Sequence, residues 1–324
     1  MNILITVSLS IIICYISCYI TKNKSEASNK FMDRNYTTTL KGISIFMIML
    51  CHMSCFWTGG RLLSPLGGTG VAIFLIISGY GLTESYKRQG LANFWQKRLL
   101  KVYFPYAIVC ILLYIFKHHC IYNLLTDLCL YTCPFWFVQF IIIQYIVFYF
   151  CFRFGGKYKI PFLLITSFIT LIITDNLRGE QSLSFLVGIL ASLYYSKIIH
   201  WIINKKYRCL LLGIALFFLG ILFLALKQIP EVRTSYEPLF TIVQLFIKLP
   251  LGLSIILLLY YFKPILHNPF IHLLGIISYE LYLVHFPFWH CANTALLPSL
   301  LVIFLSMPVS YLFNKCNMWV FKKL

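Results

Sequence analysis

The chain has 324 residues, 60% hydrophobic and 11% charged, with a mean hydropathy of +0.84. A soluble domain carries roughly a quarter charged residues, so a soluble globular fold is excluded. The net charge of +18 does not point to nucleic acid, because Lys and Arg gather in the short segments between long apolar runs, the pattern of a cytoplasmic membrane face.

Eleven apolar runs are read as membrane spans: 3–20, 40–57, 66–84, 99–116, 134–152, 159–174, 181–198, 209–226, 239–262, 270–290 and 294–313. Several approach the ~20 residues that cross a ~30 Å hydrocarbon core. A transmembrane barrel would show short alternating segments instead. The expected fold is therefore all-α, a polytopic transmembrane helical bundle of about ten core helices plus one extra N-terminal helix. Residues 1–39 read as an N-terminal membrane anchor with a basic cytoplasmic linker, and residues 40–324 as one membrane domain. The first run has its charges (Lys22, Lys24, Lys30, Arg34) after the apolar stretch, the reverse of a signal peptide, so it reads as a retained anchor.

Charge bias sets the expected orientation. With the N-terminus outside, only Arg61, Lys117, Arg178, Lys227 and Arg233 fall on the outer side and Lys248 falls inside a span, which leaves 21 of the 27 Lys and Arg on the cytoplasmic side. The acids Asp127, Asp175, Glu180, Glu231 and Glu237 are expected outside. The twelve cysteines are scattered with no CxxC pair, and most read as small buried hydrophobes. Cys120, Cys129 and Cys133 are the candidates for an external disulfide.

Chemistry concentrates in four stretches. In LKGISIFMIMLCHMS (40–54), Lys41 stands at the cytoplasmic edge, and His52 lies eleven residues on, roughly 16 Å along a helix. There the imidazole loses hydration and is favoured as a neutral base. Ionisable groups at such depth are costly and are functional candidates; a histidine that merely bonds a neighbouring helix is the plain alternative. GGTGVAIFLIISGYGL (67–82) carries glycines that allow close approach of helices or a ligand. FWQKRLLKVYFPY (94–106) places Arg98 and Lys101 three apart on one face. CPFWFVQFIIIQY (133–145) precedes LGIISYELYLVHFPF (274–288), which carries Glu280 and His285 inside a span.

Together these stretches resemble the acyltransferase-3 family of bacterial integral-membrane O-acyltransferases. A basic residue, ten residues and a histidine open that family's core, here Lys41 and His52. A GVDLFFVLSGF-like segment follows, here Gly70 to Tyr80. The family's RxxR and YPPY-like turn match Arg98, Lys101 and Tyr103 to Tyr106, and its SYxLYLxH motif matches Ser278, Tyr279, Leu281, Tyr282, Leu283 and His285. Lys41 and Lys101 stand where arginine is common, which weakens bidentate gripping of phosphate, and Ala72 replaces a residue that is often acidic.

The resemblance implies transfer of an acyl group, usually acetyl, from cytoplasmic acetyl-CoA or another acyl-CoA to a hydroxyl of an outer-face glycan, in the bacterial cytoplasmic membrane. Lys41, Lys97, Arg98 and Lys101 then form a basic mouth for the phosphates of the donor. His52 is expected to be catalytic, either as a general base or as a covalent acyl carrier. Glu280, Tyr279, Tyr282, His285 and Tyr80 are expected to bind or orient substrate. Glu280 would pair with Lys248, orient an imidazole or lie nearer the membrane edge, and packing is an equal alternative for the two tyrosines of the SYxLYLxH motif. The expected partners are a glycan acceptor, the lipid bilayer and separate polysaccharide-biosynthesis proteins, with no nucleic acid and no metal. A metal site at Cys51, His52 and Cys55 is disfavoured because His52 projects about 100° from Cys51 around the helix. The rival class is a multi-pass transporter or flippase, against which stands the lack of a visible internal repeat.

Overall fold

The computed structural model describes residues 30–54, 60–117, 121–133, 135–262, 268–289 and 296–323. The expected span 3–20 lies outside them. Every regular element among the described residues is helical. The first half holds α1 (Arg34–Ser54), α2 (Ser64–Gln89), α3 (Phe94–Arg98), α4 (Phe104–Lys117), α5 (Ile121–Leu128), α6 (Trp136–Phe154), α7 (Lys159–Ile173) and α8 (Asn176–Gly179). The second half holds α9 (Ser184–Leu193), α10 (Tyr195–Ile198), α11 (Lys206–Leu226), α12 (Pro230–Arg233), α13 (Glu237–Tyr261), α14 (Pro269–Ile276), α15 (Ser278–Trp289) and α16 (Leu296–Lys323).

Among the described residues, six helical stretches are long and apolar enough to cross a membrane, and two further pairs, each broken within four residues, raise this to eight if each pair is one span. Side chains such as Ile173 (76% exposed) and Phe218 (64% exposed) point away from the protein, as suits a chain whose solvent is lipid. The chain is a multi-pass membrane protein. Ten of the eleven expected spans coincide with helices, but two of them are interrupted. The run 181–198 is broken at Tyr194, and the stretches on either side meet at 82°. The run 270–290 ends one helix at Ile276 and starts another at Ser278.

Local chemistry explains the first helix. Asp33 accepts the backbone N–H of Tyr36 at 2.7 Å, an N-cap. The hydroxyls of Thr37, Thr38 and Thr39 donate back to carbonyls of the preceding turn, so a polar run enters the bundle with its hydroxyls satisfied.

The helices form two compact units, one containing the residues up to Arg88 with Leu164–Ser278, the other Gln89–Leu163 with the residues from Tyr279 on. In the first unit α2 is enclosed by α1, α9 and α13. Gly70 lets α2 approach the Ser44 carbonyl of α1, where an added Cβ would stand 2.7 Å away. Gly79 and Gly188 bring α2 and α9 backbone against backbone, and Gly42 and Gly275 do the same for α1 and α14; small residues permit such crossings inside membranes. α11 and α13 are joined by Ser254 Oγ donating to the Gly213 carbonyl at 2.8 Å and by stacking of Phe223 on Phe246. One end of this unit is closed by aromatics: Phe31 meets Tyr260 edge-on at 5.2 Å, and the Tyr195 hydroxyl donates to the Phe31 carbonyl at 2.9 Å.

In the second unit, α3 runs into α4 through a widened turn of π type over Leu99–Tyr103. Pro105 supplies the reason, since it has no N–H for the Lys101 carbonyl and its ring crowds the preceding turn. Phe94, Phe148 and Phe152 stack in series beside this turn.

Candidate functional site

α1 is one unbroken helix, so the eleven residues from Lys41 to His52 translate into roughly 16 Å of rise. Both side chains are half-buried. Cys51, next to His52, donates its Sγ–H to the Ser64 carbonyl at 3.4 Å, which ties this level of α1 to the first turn of α2. Cys55, the third member of the disfavoured metal set, lies outside the described residues. Tyr80, expected near substrate, is 9% exposed and lies 6.2 Å from the Tyr195 ring.

The first unit also holds a pair that the sequence did not reveal. Lys248 Nζ lies 3.3 Å from Glu180 Oε2 and 3.2 Å from Gln244 Oε1. Their side chains are 7% and 6% exposed for Lys248 and Glu180 respectively. Glu180, read from the sequence as an outer-side acid, is thus buried inside the unit, and the acid that meets Lys248 is Glu180 rather than Glu280. Gln181 donates to the Gly68 carbonyl at 2.9 Å, and Ser184 Oγ donates to Gln181 Oε1 at 3.2 Å. Glu180, Gln181, Ser182 and Ser184 are all buried, which makes a polar run inside the unit.

The second unit carries the remaining expected residues. Arg98 places its guanidinium 5.3 Å from the Tyr145 ring centre and 5.8 Å from that of Phe94. Its Nε–H is buried and has no hydrogen-bond partner among the described residues, while the guanidinium is held by the two rings. Lys97 is engaged, donating to Gln89 Oε1 at 2.8 Å, while Lys101 is exposed on the π turn. Tyr103 and Tyr106 anchor the following turn by donating to the carbonyls of Leu128 (2.9 Å) and Asp127 (2.7 Å).

The late motif is mostly packing. The Tyr279 hydroxyl donates to the Val102 carbonyl at 2.6 Å, which holds the π turn. The Tyr282 ring meets Phe135, Phe137 and His285 at 6.0, 5.5 and 5.9 Å. Both tyrosines therefore have packing partners inside the unit. His285 is fully buried, with Nδ1 bonded to the Leu281 carbonyl at 2.8 Å; in the neutral ring that leaves Nε2 as the acceptor. Glu280 is buried and accepts from Asn317 Nδ2 at 3.2 Å. Cys129 and Cys133 are free thiols, and Cys120 lies outside the described residues. The expected residues thus divide, with Lys41, His52 and Tyr80 in one unit and Lys97, Arg98, Lys101, Tyr279, Glu280, Tyr282 and His285 in the other.

An all-helical, multi-pass membrane protein with a histidine at the far end of a helix that begins with a basic residue is the class defined by this geometry. Residues 34–315 match the model of the acyltransferase-3 family, described as an acyltransferase domain. The chain belongs to that family and is a membrane acyltransferase. No curated protein and no solved structure matches it.

Proposed function

We propose that the protein moves an acyl group, most simply acetyl, from cytoplasmic acyl-CoA to a hydroxyl of a cell-surface or secreted glycan. The observation that carries this reading is α1, a single unbroken helix that holds Lys41 and His52 roughly 16 Å apart along its axis. Arg98 supports it from the second unit, because a stacked guanidinium with an unsatisfied Nε–H suits a phosphate of the donor.

The chemistry assigned to His52 is that of a general base. The imidazole takes the proton of the acceptor hydroxyl as its oxygen attacks the thioester carbonyl. The C–S bond then breaks, and the departing CoA thiolate recovers the proton from the imidazolium, leaving an ester on the glycan and free CoA. The protein is proposed to lie in the bacterial cytoplasmic membrane with its basic connections and C-terminus inside and its N-terminus outside. Separate polysaccharide-biosynthesis proteins are the proposed source of the acceptor.

The full chain reconstituted in vesicles, given acyl-labelled acyl-CoA and the alkali-deacylated surface polysaccharide of the producing cell, should put label on the polysaccharide in an alkali-labile form. Movement of the glycan with no acyl transfer would instead make the protein a transporter.

A further inference from the structure

The first turn of α2 is enclosed on two sides by groups of different character. A Cβ added at Gly67 would stand 2.7 Å from Cys51 Sγ, next to His52 on α1. A Cβ added at Gly68 would stand 2.6 Å from Lys248 Cε and 2.8 Å from Glu180 Oε1. Consecutive residues of one helix differ by only ~1.5 Å in height, so the buried ion pair lies in the same layer of the unit as His52.

That layer is costly to build. Removing two charges from water costs several kcal/mol per ion, and apolar side chains of similar size commonly stabilise as well or better. Among the described residues the pair is also incompletely used. An ammonium has three protons, of which two are directed at Glu180 and Gln244, and a carboxylate offers about four acceptor sites, of which Lys248 takes one. In the same segment Ser182 Oγ is 1% exposed and has no hydrogen-bond partner among the described residues. The layer therefore presents spare donors and spare acceptors together, the complement of a polyhydroxylated ligand. Lys227, just beyond α11, is held below the ordinary lysine range by burial first and then by Lys248, with Glu180 opposing. The pair thus lies within electrostatic reach of the α11–α12 connection, which the charge bias assigns to the outer side.

We propose that Glu180, Lys248 and Ser182 form the subsite that holds the hydroxyls of the acceptor sugar at the level of His52. The proposal rests on the acyl-transfer reading above and adds where the acceptor is bound. Gly68 lies against the device, since an added Cβ there would meet the side chains of both members of the pair.

The test compares wild type, Glu180→Leu/Lys248→Met and Ser182→Ala in the reconstituted full chain. The double variant removes both charges at once and leaves neither orphaned. Measured are thermal unfolding, the apparent KM for acyl-CoA, and the apparent KM for the deacylated surface polysaccharide. The expected result for the double variant is unchanged folding, a KM for acyl-CoA within twofold of wild type, and a KM for polysaccharide raised at least about tenfold, the loss expected for hydrogen bonds to charged groups. Ser182→Ala, which removes a hydroxyl bonded to no group among the described residues, should raise the polysaccharide KM about two- to tenfold. Unchanged polysaccharide KM in a folded double variant would make the pair a brace and overturn the proposal. If the double variant does not fold, Ser182→Ala decides, and an unchanged polysaccharide KM there overturns it equally. Wild type that never acylates the polysaccharide from acyl-CoA would overturn the function reading itself, an outcome distinct from both.

Discussion

The two ends of α2 carry two ion pairs built on opposite terms. Near its last turn, Glu84 and Lys87 lie 2.8 Å apart on one helix, about a third exposed, and Ser192 Oγ donates to the same carboxylate at 2.7 Å. At its first turn Gly68 faces Glu180 and Lys248, which are 3.3 Å apart, come from two different elements and are almost fully buried. Sixteen residues, roughly 24 Å of helix, separate the two settings. The tighter pair is the less consequential one, because water screens it and its partners are neighbours in sequence. The looser pair is held by the fold and sits where an unpaired charge has no water to turn to.

Single substitutions should expose that difference. Lys248→Met alone leaves Glu180 as an uncompensated buried acid and should cost about 3–5 kcal/mol, read as a large fall in the unfolding temperature of the purified protein; the paired change with Glu180→Leu should recover most of it. Arg98→Ala is intermediate. It removes a stacked, half-buried guanidinium that is proposed to meet a donor phosphate, a contact of about 1.5–3 kcal/mol. Its expected signature is a raised KM for acyl-CoA with a smaller change in turnover, and unchanged affinity would reduce Arg98 to ordinary membrane-face charge. Glu84→Ala should be the mildest, about 0–1 kcal/mol. A loss at Glu84 as large as that at Lys248 would erase the distinction between the two ends.

The same contrast explains what was legible in the sequence. Helices of α1, α2, α6, α11 and α13 could be read because membrane spans are continuous apolar runs. The breaks at Tyr194 and between Ile276 and Ser278 could not, since the run stays apolar across them and the turns are made by packing. His52 stood out because a titratable group in such a run is conspicuous. Glu180 did not, because RGEQS has the composition of a solvated loop and its burial comes from α13 and α2, distant in sequence. One signal was present: Lys248 was the single cation left inside a span, and a buried ammonium requires an acid. Glu280 is the acid that the sequence places deep in a span, yet its side chain is met by Asn317. The hydroxyl of Tyr279 was equally opaque, since its acceptor is the Val102 carbonyl, 177 positions away.

The central claim is that His52 moves the acceptor's proton. The most direct measurement complements a deletion strain with wild type, His52→Ala and His52→Gln at matched membrane abundance and quantifies acyl groups on the surface glycan by NMR. Gln keeps a hydrogen-bonding group but accepts no proton at neutral pH. The account predicts that both variants lose acylation, with transfer slowed ~10²–10⁴-fold as for loss of a general base. Near-normal acylation with His52→Gln would make the histidine a structural hydrogen-bonding group and contradict the mechanism.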